Sequence, residues 1–301
     1  MLSTRYVASL TAIATYALIV LGGYVRATGY GLACPDWPLC HGELIPPLNT
    51  PVLTEYSHRL AAATVGLLVL GTAITAWRGH RENRLVLTGA TLALLLLIAQ
   101  VLMGGVTVNM ELPDTIVALH LAIALILLAV LVTTAVGAFQ EQRPAANDDS
   151  DPAGETSATA FLPLASVAAL ATFTLIIIGS YVANSGASLV YPDWPLFNGK
   201  LVSAGGRLAD LHYAHRLMAV VAGLLILAVA VHTWRRDRRP LVLAVVALAL
   251  VLYVAQVFVG ASNIWFELPT SVRIVHLALA SALWSALVLG AAGAYFERRA
   301  A

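Results

Sequence analysis

Glu55-Tyr56-Ser57-His58-Arg59-Leu60 returns 157 positions later as His212-Tyr213-Ala214-His215-Arg216-Leu217. Each copy puts a histidine and an arginine at the mouth of an apolar stretch, and such residues are costly near lipid. A chain that places them there twice, in register, is holding something at both points. Outward from this pair, the same offset aligns Tyr24-Val25 with Tyr181-Val182 and Pro35-Asp36-Trp37-Pro38-Leu39 with Pro192-Asp193-Trp194-Pro195-Leu196. One deletion later the offset is 156, and Gln100, Gly104, Glu111-Leu112-Pro113 and His120 align with Gln256, Gly260, Glu267-Leu268-Pro269 and His276. The chain is an internal duplication.

Hydrophobic residues make up 59% of the 301 residues and charged ones 11%, where a soluble domain carries about 25% charged residues. That balance belongs to an integral membrane protein. Stretches near residues 5–26, 54–77, 84–105, 114–139, 161–182, 211–234, 239–261 and 271–296 each reach the about 20 residues that a membrane-crossing helix needs. The first is too long for the apolar region of a signal peptide and is read as part of the fold. An even number of helices per half makes both halves enter the membrane the same way. The expected fold is therefore an all-α membrane protein of eight transmembrane helices, built as two parallel-repeat four-helix bundles: residues 1–139, a linker over 140–160, and residues 161–301. The linker, rich in Ala, Asp, Pro, Ser and Thr, reads as a flexible tether. A net charge of +1 gives no ground for a nucleic-acid partner; the expected surroundings are the lipid bilayer.

With eight spans the termini share a side, and the basic residues choose it. Arg5, Arg78, Arg81, Arg84, Arg143, Arg235, Arg236, Arg238, Arg239, Arg298 and Arg299 fall on the side of the termini, against Arg26, Arg59, Lys200, Arg207, Arg216 and Arg273 opposite. Both termini are thus expected in the cytoplasm of a multi-pass plasma-membrane protein. Both cysteines, Cys34 and Cys40, fall in the first extracytoplasmic loop, where a disulfide is permitted. A metal-binding pair with His41 and a dithiol that cycles during turnover remain competing readings. The loops after the first and fifth helices, about 27 residues each, both contain Pro-Asp-Trp-Pro. Their tryptophans either anchor the loop at the membrane interface or cover a bound ligand.

Four of the eight histidines form repeat-matched pairs, whereas His41, His80, His212 and His232 are unmatched. At 1.5 Å per residue, His58 and His120 both lie roughly 7 to 10 Å below the outer surface, on the second and fourth helices. His215 and His276 repeat the arrangement. Two histidines facing across a bundle at equal depth suit axial coordination of a haem. Zinc would want three or four protein ligands, and no third matched His or Cys stands at that level. Arg59 and Arg216 follow a ligand directly and Arg273 precedes one by a helical turn; with Arg26 they are candidate contacts for haem propionates, or they only snorkel to the interface. Gln100 and Gln256, each four residues before a glycine, serve either close helix packing or a flat ligand.

The halves differ around the first site. Arg26, Cys34, Cys40, His41 and Glu55 face Ala183, Tyr191, Phe197, Asn198 and His212. Glu55, one turn outward of His58, is the candidate catalytic acid or base; the competing reading is a helix N-terminal carboxylate favoured by the dipole. The second half reads as a stripped bis-histidine site.

On these residues the chain resembles the haem A synthase family over nearly its whole length. The carriers are Glu55-Tyr56-Ser57-His58-Arg59, Cys34-Pro35-Asp36-Trp37-Pro38-Leu39-Cys40, Gly23-Tyr24-Val25-Arg26, His120 and His276, together with the duplication. The resemblance implies oxidation of the C8 methyl of haem O, through successive hydroxylations, to the formyl group of haem A. It implies a haem b cofactor on His215 and His276, substrate haem on His58 and His120, an essential carboxylate at Glu55, and supply of haem O by a haem O synthase. Tyr191 and Phe197 stand where some members carry a second cysteine pair. Two other classes compete. An electron carrier with two bis-histidine haems and no substrate chemistry predicts equivalent halves, and a transporter predicts broken helices near the midplane.

Overall fold

The structure is a computed structural model and describes residues 3–47, 49–141, 152–236 and 239–300, without the side chains of 152–159 and of residue 300. Its eight α-helices are α1 (Thr4–Thr28), α2 (Thr50–Gly79), α3 (Arg84–Asn109), α4 (Asp114–Gln140), α5 (Pro152–Asn184), α6 (Arg207–Arg236), α7 (Pro240–Trp265) and α8 (Thr270–Ala300). All eight are long and apolar enough to cross a membrane. Helices dominate because the bilayer offers no partner to a backbone N–H or C=O, so each segment must satisfy its own. Local chemistry sets the ends. Asn49 and Asn83 cap α2 and α3 by accepting from the N–H groups of Val52 and Val86, and Gly29 at φ 77° closes α1.

Helix α5 begins at Pro152, inside the stretch read as a tether. Residues 142–151 of that stretch, together with Arg143 and Arg238, lie outside the described residues.

Within each half the helices form a ring. Helix α1 packs on α2 and α4, and α3 joins α2 to α4; α5 to α8 repeat the pattern. Between halves, α1 meets α8 as α5 meets α4, and α4 meets α8. Those neighbours are the ones a two-fold axis would relate. Burial follows: 44% of the apolar window of α5 and 39% of those of α4 and α8 are covered, against 17% for α3 and 11% for α7. Helices α3 and α7 therefore face lipid, while one core containing Leu125, Leu128, Leu283 and Trp284 runs through both halves. Across the seam the Trp284 indole donates to the Leu125 carbonyl at 3.1 Å.

The duplication extends to the backbone. Trp37-Pro38 and Trp194-Pro195 are both cis, and the turns into α4 and α8 hold Glu111, Leu112, Glu267 and Leu268 at positive φ. A left-handed conformation costs a non-glycine residue roughly 1–2 kcal/mol. At the first of these turns it delivers Leu112 against Gly31 of the loop after α1.

Candidate functional site

Four helices converge on one point in each half. In the first, His58 of α2 and His120 of α4 are electrostatic neighbours. Each ring lies against a glycine. A Cβ on Gly22 of α1 would stand 3.0 Å from His58 Nε2, and one on Gly104 of α3 would stand 3.7 Å from His120 Cε1. The Gln100 amide nitrogen lies 3.4 Å from His120 Nε2 and donates to the His120 carbonyl at 3.0 Å. In the second half His215 lies against Gly179, where a Cβ would come within 2.8 Å of Cε1, and His276 against Gly260, at 3.1 Å. The Gln256 amide nitrogen is again 3.4 Å from His276 Nε2. Gly22 and Gly179, at the duplication offset, were not singled out as site residues by sequence reasoning. Their alignment was the available signal.

These sites contain buried polar atoms without a protein partner: Nδ1 of His120 and His276, and Oε1 of Gln100 and Gln256. An unsatisfied buried polar group costs about 1–3 kcal/mol, and a bound group that met these atoms at the two matched points would offset that cost. No group of three or more His, Cys, Asp or Glu side chains comes together among the described residues. Each site thus offers two imidazoles in an apolar bundle with small residues beside the rings. That donor set fits a planar group whose metal already has its other ligands, and haem is such a group.

A loop lies over each site, and an arginine holds it. Arg59 Nη1 donates to the carbonyls of Asp36, at 2.7 Å, and Leu39, and Nη2 to that of Cys34 at 2.9 Å. Arg216 repeats this on Asp193, Leu196 and Tyr191, at 3.0, 2.7 and 3.2 Å. The structure thus gives both arginines a loop-clamping role that side-chain types did not foreshadow. Trp37 packs on Gly105 of α3, beside the glycine that faces His120, and Trp194 meets Trp265 edge-on. Both thus join the loop to the outer end of the third helix of their half. Asp36 accepts from the N–H groups of His41 and Gly42 at 2.6 and 2.8 Å. The Gly42 bond has the largest effect and lowers its carboxyl below the usual range; burial opposes it, and the His41 bond and the Arg59 charge add smaller lowering effects. Asp193 repeats this with Gly199, Asn198 and Arg216.

The differences between halves gather under these loops. Cys34 and Cys40 form a disulfide; in their places Tyr191 and Phe197 make an edge-on ring pair with centroids 5.0 Å apart. Glu55 is buried, 4% exposed, and lies beyond the first turn of α2. Its Oε2 accepts from the Cys34 N–H at 2.7 Å and its Oε1 from Arg59 Nη2 at 2.6 Å. The carboxylate is a bracket between α2, the clamp and the disulfide loop. Its counterpart His212 instead accepts from Arg216 Nε at 3.1 Å.

Arg26 and Arg273 sit where the halves meet. Arg26 Nε donates to Asn184 Oδ1 at 2.8 Å, Arg273 Nη1 to the Ala27 carbonyl at 3.0 Å, and the two guanidinium groups are electrostatic neighbours. Neither has a counterpart at its repeat position, where Ala183 and Val117 stand.

The chain is similar along almost its whole length to proteins of known name. It is 31% identical over 282 residues to the heme A synthase of Alkalihalophilus pseudofirmus, covering 92% of this chain and 93% of the relative. To the heme A synthase of Geobacillus kaustophilus it is 30% identical over 303 residues, 95% of this chain and 89% of the relative. That of Symbiobacterium thermophilum is 30% identical over 286 residues, 93% and 92% respectively. The profile of the cytochrome oxidase assembly proteins, COX15-CtaA, matches residues 5–288. A match of that extent, on a chain with this duplicated eight-helix architecture, places the protein in the COX15-CtaA family of cytochrome oxidase assembly proteins.

Proposed function

We propose that this protein is a haem A synthase, an oxidoreductase that converts the C8 methyl of haem O to the formyl group of haem A. The observation that carries the reading is the doubled convergence of two imidazoles, two glycines and a glutamine, combined with a carboxylate, Glu55, in the first half only. In this reading the first half takes haem O as substrate between His58 and His120. The second holds a resident haem b between His215 and His276, whose iron supplies one-electron transfer when bound. Two hydroxylations turn the methyl into an alcohol and then a gem-diol. Each consumes one dioxygen with two electrons and two protons from outside the chain, so that one oxygen atom enters a C–H bond and the other leaves as water. The gem-diol then loses water to leave the aldehyde.

The chain's own residues orient, cover and assist. His58 and His120 set the plane of the substrate, and Gly22 lets it approach the helices. The Arg59 clamp and the Cys34–Cys40 loop close the site from water. Glu55, at the inner edge of that loop, is the group placed to take or give a proton at the reacting carbon. Arg26 and Arg273 pair with propionates; Arg59 and Arg216 enter the proposal first as clamps. Haem O comes from a haem O synthase and electrons from a donor outside this chain. The excess of arginine on the opposite side and the disulfide support cytoplasmic termini, in the plasma membrane, with both sites towards the outside.

Haem extraction after expression with and without haem O tests the reading. Haem A, appearing only when haem O is supplied, is expected. Two tightly held b-type haems with no conversion would overturn the reading. Replacing His215 or His276 with Ala should abolish the low-spin spectrum of the resident haem, and an unchanged spectrum in both variants would refute its assignment.

A further inference from the structure

Leu201 and Leu44, 78% and 77% exposed, are the two most exposed large apolar side chains among the described residues, followed closely by Ile45 at 75%. They occupy matched places, since Leu44-Ile45 aligns with Leu201-Val202 at the offset of 157. Each pair follows a tight hairpin, closed by backbone pairing of Cys40 with Glu43 and of Phe197 with Lys200. The hairpins are fixed from within by the Asp36 and Asp193 bonds and by the arginine clamps. The tips are therefore held out rather than tucked in.

Their height follows from α2. Thirty residues make that helix about 45 Å long, more than the about 30 Å of the hydrocarbon layer. Counting about 20 residues back from Trp77, at the arginine-bearing end, puts the apolar boundary close to Ser57. The Tyr56 hydroxyl, one residue beyond, donates to the Leu44 carbonyl, and tyrosine is enriched at that depth in membrane proteins. Tyr56 also lies on the same helix face as Leu53, Leu60 and Leu67, three and four residues away and one further heptad along. Those leucines are 50%, 53% and 71% exposed. The first tip thus extends the lipid-facing stripe of α2 at the boundary of the bilayer. In the second half Leu217 and Leu224 form the stripe, and Phe197 at the hairpin base packs on Tyr213, the counterpart of Tyr56.

We propose that Leu44-Ile45 and Leu201-Val202 insert into membrane lipid, so that the cover of each histidine site is moored to the bilayer at its outer rim as well as to its arginine within. The partner surface is the acyl-chain boundary of the leaflet that meets these loops. The proposal needs only the membrane-spanning fold and stands apart from the assignment of haems.

The test uses the full chain reconstituted in phosphatidylcholine vesicles. Leu201→Cys, in the half without native cysteines, carries a bimane label, and Leu44→Cys is the second variant. Leu224→Cys serves as the lipid control and Glu82→Cys, exposed in the α2–α3 turn, as the water control. Lipids brominated near the headgroup should quench both tips as strongly as the lipid control, with iodide in the buffer quenching neither. A tip quenched by iodide and not by bromolipid lies in water and overturns the proposal. A tip shielded from both is covered by protein, which overturns it equally.

Discussion

Replacing Glu55 with Gln separates the two roles that the structure gives this side chain. Glutamine keeps one carbonyl oxygen for the Cys34 N–H or for Arg59 but removes the charge facing the guanidinium, 2.6 Å away. A bond to a charged group contributes about 1.5–3 kcal/mol and a neutral one about 0.5–1.5. One such bond lost and the other weakened give a structural loss on the order of 2–4 kcal/mol, centred on the loop. Loss of a positioned acid or base typically costs about 100 to 10,000-fold in rate, equivalent to roughly 3–5 kcal/mol in the barrier. Different assays read the two losses. Thiol trapping of Cys34 and Cys40 and limited proteolysis report the loop, the His215–His276 spectrum reports the fold of the other half, and conversion of haem O through the alcohol to haem A reports the chemistry. For Glu55→Gln we expect an intact spectrum, a closed disulfide and a hundredfold or greater loss of haem A. Arg59→Lys is the companion, since it retains the carboxylate while dismantling the clamp. Near-normal haem A from Glu55→Gln would refute the chemical role. A loosened loop and equal loss of product in both variants would make Glu55 a positioning residue that acts through Arg59.

Three further outcomes follow from the geometry. Gly179→Ala, whose Cβ would press to 2.8 Å on His215, should shift or abolish the low-spin spectrum of the second site, whereas Gly104→Ala, in ordinary contact at 3.7 Å, should leave substrate binding intact; equal tolerance of both would refute the cradle. The lowered carboxyls of Asp36 and Asp193 stabilise their loops above the unfolded-state pKa, and that contribution is lost as pH falls through the still lower folded value. Amide exchange at Gly42 and His41 should therefore stay slow below the ordinary aspartate pKa, and Asp36→Asn, which keeps one acceptor oxygen, should speed exchange at one of the two; unchanged protection would refute this. Reductant should make the first loop protease-sensitive and leave the second, held by Tyr191 and Phe197, as resistant as before.

Part of this organisation was legible because membrane burial leaves few alternatives. An apolar run of sufficient length has to be helical, so all eight helices were visible, as was the matching of His58 and His120 with His215 and His276. Helix ends were less visible. Helix α6 starts at Arg207 rather than near 211, and α5 at Pro152, because polar turns outside the hydrocarbon carry no hydropathy signal. The loop machinery was the least legible. Arg59 and Arg216 act on backbone carbonyls, and a carbonyl is the same in every residue, so no pattern of side chains announces where a clamp will close. For the same reason Glu55 read as a free acid at a cofactor edge, while its partner in the structure is a backbone N–H brought to it by a loop fold.

The exchange of Glu55 for His212 then acquires a physical meaning. Both are buried at the same point of the duplicated scaffold, and both meet the clamping arginine four residues on. A carboxylate there balances a buried guanidinium with full charge and also grips the disulfide loop. A neutral imidazole brings no charge to balance the guanidinium, and the second loop is held by an aromatic pair that the Arg216 guanidinium overlies, 4.8 Å from the Phe197 ring. The two halves therefore solve one packing problem with different chemistry. Only the first solution leaves a carboxylate one helical turn from a site histidine, and in the proposed function that difference, rather than the shared histidines, would distinguish the reacting site from the resident one.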